Sequence, residues 1–217
     1  AEEMKVVDID GLHAARELVR STVARELSDR LMATYEANQS TEPYRSDAAS
    51  VGRRSLMNVC LAYLSRLETP EVTELCYRQF SQADNMTDSL SALACLNDLD
   101  VPQRQQALDA FHAKWKDEAL VLDKWFAIQA LSNLPSTPGK VEALIGHEDF
   151  SFSNPNRFRS LIGSYCAGNL FYFHSADGRG YKLLADQVIK LDKTNPQVAA
   201  RMVRSFDRWK KFDEGRM

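Results

Sequence analysis

The side chains that most readily bind metals or move protons are sparse in this 217-residue sequence, and they do not fall at the spacings such chemistry needs. None of the four histidines, His13, His112, His147 and His174, has a second histidine four residues away, the separation that puts two imidazoles on one helical face to grip zinc. The sequence contains no H-E-x-x-H. His147-Glu148, the adjacent His-Glu pair, runs on into Asp149 and Phe150 and reads as a surface loop. His174 lies near Ser175 and Asp177, but neighbours within one loop rarely hold the geometry of a catalytic triad. Gly178-Arg179-Gly180 reads as a turn into a helix at Tyr181, not as a phosphate cradle. Cys60, Cys76, Cys95 and Cys166 are widely spaced without a C-x-x-C pair, and read as reduced helix residues. The reading therefore assigns no catalytic residue and no metal ligand to this chain.

The most unusual polar grouping falls in the last third. The segment SFSNPNRFRSLIG offers Asn154, Asn156, Arg157 and Arg159 at a helix start, where free backbone N–H groups already favour negative charge. A second start, NPQVAARMVRSF, puts Gln197 and Arg201 four residues apart on one face, extended by Arg204 and Arg208. Val198, Met202 and Phe206 form the apolar face of the same helix. Two readings stand at this level. Either the arginines are solvated or paired with acids on neighbouring helices, or the two helix starts recognise a carboxylate or a peptide carbonyl.

The elements that must position these residues are helices. Apolar residues recur at helical spacing at Val19, Val23, Leu27 and Leu31, at Leu56, Cys60, Tyr63 and Leu67, and at Tyr181, Leu184, Val188 and Leu191. No segment sustains period-two alternation, so no sheet is predicted. Proline marks five helix starts, at Pro70, Pro102, Pro138, Pro155 and Pro196. Four of these follow Thr69, Thr137, Asn154 or Asn195, whose side-chain oxygens can cap the first turn. From Leu120 to Leu131 almost no polar face remains, which predicts a central helix wrapped by its neighbours. Trp115, Trp125, Phe126, Phe171, Tyr172 and Phe173 read as core, not as a ligand box. The predicted class is all-α, a two-layer helical repeat or superhelical solenoid of HEAT or armadillo type.

Composition narrows the function classes. With 27 basic against 30 acidic residues and a net charge of −3, no electrostatic footprint points to nucleic acid or a membrane surface. No apolar run approaches the roughly 20 residues a membrane span needs, and the first residues lack the features of an export signal. The expected location is cytoplasmic.

The runs SNPNRFRSLIG, FHSADGRGY and NPQVAARMV, in that order, together with VLDKWFAIQAL, resemble the C-terminal region of the bacterial aminopeptidase N family, zinc-dependent exopeptidases. The resemblance implies a larger enzyme in which a separate catalytic domain holds zinc through H-E-x-x-H and a downstream Glu. Residues 1–217 would then form its C-terminal helical domain, ending before the family sequence does. Such a domain caps the catalytic domain and lines a cavity entered by peptides. Gln197 and Arg201 match cavity-reaching positions, and Arg159 matches a cavity-lining arginine. The implied partners are the catalytic domain of the same chain and peptide substrates. A free-standing helical scaffold that binds a protein partner is the alternative of a different class.

Overall fold

The computed structural model describes residues 3–40 and 42–216, and among these it contains helices and turns but no strand. The helices are α1 (Ile9–Glu26), α2 (Ser28–Ala37), α3 (Ala48–Leu64), α4 (Pro70–Gln82), α5 (Met86–Asn97), α6 (Pro102–Trp115) and α7 (Ala119–Ala130). They continue as α8 (Thr137–Ile145), α9 (Pro155–Phe158), α10 (Ser164–Gly168), α11 (Leu170–Phe173), α12 (Arg179–Asp192) and α13 (Pro196–Val203). This is the all-α class that the periodicity predicts.

Start signals work as their chemistry dictates at three of the four expected caps. Thr69 accepts from the Val72 N–H, Asn154 from the Asn156 and Arg157 N–H groups, and Asn195 from the Val198 N–H. Thr137 departs from the expectation. It is already inside α8, fully buried, and its hydroxyl donates to the Ser132 carbonyl, while Ser136 holds the cap position. A buried hydroxyl must find a partner, and the Ser132 carbonyl outcompetes the capping role.

The chain divides into two compact units, one of residues 15–111 and one of residues 1–14 with 112–217. In the first, the hairpins α2–α3 and α4–α5 pack together around Tyr35, Leu61, Leu64, Leu93 and Leu96. A buried polar chain crosses this core. Tyr35 donates to Gln79, Gln79 to Asn58, and Asn58 to Asp88, over 3.0, 2.8 and 2.7 Å. Residues from four helices thereby satisfy one another in place of water.

In the second unit α7 packs against α8, α9, α10 and the turn between α9 and α10, and α12 packs on α13. Phe126, Phe158, Leu161, Ile162, Tyr165 and Phe173 fill the core. The two termini of the described chain meet here: the Val7 N–H donates to the Lys211 carbonyl, and Val7 and Ile9 pack with Phe212. Two expectations about burial need correction. α7 is not enclosed on all sides, because Leu120 is 72% exposed and Leu131 projects outward at the other end. Val19 on α1, Leu27 just after it and Leu56 on α3 likewise face outward, so helical period located these helices but not the direction of their apolar faces.

Candidate functional site

The two polar helix starts singled out by the sequence both lie in the second unit, and the structure sorts their arginines into different kinds. α9 begins where Pro155 supplies a first-turn residue with no N–H to satisfy and Asn154 caps the two that follow. Arg157 then turns inward. It is 6% exposed, its Nε donates to Asp123 on α7 at 2.5 Å, and its other nitrogens donate to the carbonyls of Asp149 and Ala119. The guanidinium also lies over the Phe126 ring at 5.1 Å. Arg157 is therefore a structural clamp and does not belong to an exposed recognition surface.

Arg159 is two residues on, about 200° around a helix, and faces outward. Its Nε donates to the Pro155 carbonyl and its Nη2 to Asn156 Oδ1 at 2.6 Å, which fixes the guanidinium against the helix start it follows. From Arg159 to Gly163 the backbone takes a π-helical turn, a widened geometry that recurs at functional sites. Its inward residues, Leu161 and Ile162, are fully buried and anchor it. Gly163 lies against the Arg159 stem and, slightly further off, the Met202 sulfur, so α13 passes beside this turn.

On α13 the division is clean. Asn195 caps the helix, Val198, Ala199 and Met202 are buried, and Gln197 and Arg201 stand on the exposed face. Among the described residues the side chains of Gln197 and Arg201 make no hydrogen bond or ion pair. Their donors are available to an external partner. Arg204, by contrast, pairs with Asp207 at 3.3 Å, and the helix ends before it, so it does not continue the same face. Phe206 is half-buried in a ring cluster with Phe173 and Tyr181.

The remaining chemistry-bearing groups rearrange as well. His174 is buried; its Nδ1 lies 2.9 Å from the Tyr181 hydroxyl, and Ser175 bonds Asp177. Ser175 and Asp177 organise the turn into α12, with Asp177 accepting from the Arg179 N–H, which holds its carboxyl below the usual range. Burial, helped by the Arg216 guanidinium, lowers the His174 pKa to about 4. The four cysteines are unbridged and buried. The surprise is the segment read as a surface loop. His147 and Asp149 meet His112 in a half-buried cluster against Trp125 and Phe126. His112 and Asp149 are 37 residues apart, so no local spacing could reveal the meeting.

The fold and its capped starts define an all-helical repeat domain. The chain belongs to the family described as a domain of unknown function (DUF3458_C) with ARM repeats, whose model matches residues 1–217. It is 38% identical over 216 residues to aminopeptidase N of Escherichia coli and 37% identical over 216 residues to that of Haemophilus influenzae. Those matches take in all of this chain but only 25% and 24% of the relatives. Among solved structures, Legionella pneumophila aminopeptidase A in complex with aspartic acid superposes with a TM-score of 0.89 at 33% identity, over 99% of this chain and 26% of that one. The match is to the C-terminal domain of these enzymes, as the motifs in the sequence indicate. The chain spans about a quarter of the length of the relatives it matches.

Proposed function

We propose that this chain is the non-catalytic C-terminal domain of a zinc-dependent aminopeptidase of the aminopeptidase N type, which caps the catalytic domain and lends Gln197, Arg201 and Arg159 to the wall of a peptide-binding cavity. The full-length match to aminopeptidases carries this reading, and the outward, unpaired pair on α13 supports it. The sequence has no H-E-x-x-H, so the zinc and its general base belong to the remaining three quarters of such an enzyme. Zinc there would supply an activated water; the residues here would orient the peptide. Arg201 can engage a peptide carboxylate or a backbone carbonyl, and Gln197 can donate to one carbonyl while accepting from one N–H. Arg159, fixed by Asn156 and Pro155, presents a guanidinium at little further entropic cost.

The reading places the parent enzyme in the cytoplasm, and no helix among the described residues is long and apolar enough to cross a membrane. Purified alone, the chain should hydrolyse neither alanyl nor leucyl amides. Turnover by the 217-residue chain that persists in the presence of a chelator would contradict the assignment. The free-standing scaffold remains the competing class. An open reading frame that continues upstream through a zinc motif decides for the enzyme domain; a natural start near residue 1 decides for the scaffold.

A further inference from the structure

The cluster formed by His112, His147 and Asp149 has no part in the reading above and is built from metal-ligating groups. His112 Nε2 lies 2.6 Å from Asp149 Oδ2, and His147 Nδ1 lies 3.7 Å from the same oxygen. All three ligand atoms fall within 4.8 Å of one another. Ligand atoms about 2.0–2.1 Å from a tetrahedral zinc are about 3.3 Å apart, so shifts on the order of 1 Å convert this arrangement into a coordination shell. The side chains are 20%, 29% and 29% exposed, enough for an ion to reach them.

The surroundings favour a cation. His112 lies in the last turn of α6, and His147 follows Gly146, the C-cap of α8. Two helix C-termini, each the negative end of a macrodipole, therefore converge on the cluster. The only cationic side chain with a described contact to it is Arg157, which donates to the Asp149 backbone carbonyl and is neutralised by Asp123. That contact fixes the loop through its backbone, so among the described residues the Asp149 carboxylate faces only the two imidazoles. Trp125 packs against both rings and Phe126 against that of His147, which restricts their orientation. His147 Nδ1 accepts the Asp149 N–H at 3.2 Å, so it is the unprotonated nitrogen of its ring, and a metal would take its lone pair in exchange for this long hydrogen bond.

We propose that His112 Nε2, His147 Nδ1 and the Asp149 carboxylate form a binding site for one divalent transition-metal ion of the zinc, cobalt and nickel class, which ties the end of α6 to the loop after α8. Two imidazoles and one carboxylate suit these ions better than calcium or magnesium, which take oxygen shells. Water completes the coordination. Metal binding at these three residues does not depend on the aminopeptidase assignment.

The test is a titration of the tag-free, chelator-stripped chain with Co²⁺ alone, followed by visible absorbance, with Zn²⁺ added afterwards in competition. The site predicts one equivalent of cobalt with the d–d bands of a four- or five-coordinate ion, displaced by zinc, and a rise in melting temperature on binding. His147→Gln should abolish the bands, and Asp149→Asn should weaken binding about tenfold or more. Circular dichroism of each metal-free variant checks its fold, and the partly exposed His147 keeps the test available should His112→Gln unfold. No cobalt bands at about 1 mM metal, or bands unchanged in folded His147→Gln, would overturn the proposal.

Discussion

At the scale of single residues, the central result is that arginines two positions apart do opposite work. Arg157 completes a buried pair with Asp123 and ties two carbonyls, whereas Arg159 faces outward. Removing one member of a buried pair strands the other charge, so Arg157→Ala should cost about 3–5 kcal/mol in urea unfolding. Arg159→Ala should change stability by about 0.5 kcal/mol or less. Equal losses would show that the inward and outward assignments are wrong. The sequence groups the two arginines at one helix start; which of them enters the core depends on Asp123, 34 positions away.

His174 gives a pH dependence with a definite sign. Its pKa falls from 6.5 unfolded to about 4 folded, because burial and Arg216 disfavour the imidazolium. The unfolded chain thus binds more protons between those values. The contribution is fully present above about pH 6.5 and disappears as pH falls towards 4. It is on the order of 1–2 kcal/mol, allowing for partial solvent access. Urea midpoints measured from pH 4 to 7 should rise, and His174→Gln should flatten that slope relative to the parent.

At the scale of elements, the helices follow from period and punctuation, and the exceptions have local causes. Pro70, Pro102, Pro155 and Pro196 each open a helix, and Pro138 is one residue inside α8. The π turn at Arg159–Gly163 was not legible, since it depends on where Leu161 and Ile162 must reach the core and not on any propensity of their own. Glycines show how far tertiary contact overrides local preference. A Cβ on Gly180 would sit 2.3 Å from the Phe173 carbonyl oxygen, where backbone must move. Gly52, in the second turn of α3, has nothing within 4 Å. Gly180→Ala should therefore destabilise by about 1–3 kcal/mol, and Gly52→Ala should stabilise by about 0.5–1 kcal/mol. Thermal denaturation of the two variants checks both signs.

At the scale of the whole molecule, the sequence revealed the all-helical class and the family through its motifs, but much less of the burial. Val19, Leu27, Leu56 and Leu120 lie on apolar stripes yet face outward, because a stripe gives a direction relative to its own helix and not to a neighbour. The candidate surface was legible as residue names, with Gln197 and Arg201 four apart on one face of a capped helix. The half-buried histidine cluster was not, since His112 comes from α6 and His147 from the loop after α8.

The central claim is that the exposed face of α13 serves peptide binding in a zinc aminopeptidase without touching the metal. Its most direct test is Arg201→Ala in the full-length enzyme, with kcat/KM for short peptides measured alongside zinc content. Loss of one hydrogen bond to a charged group, worth about 1.5–3 kcal/mol, predicts a fall in kcat/KM of about tenfold or more with zinc unchanged. Wild-type kinetics in the variant would contradict the account.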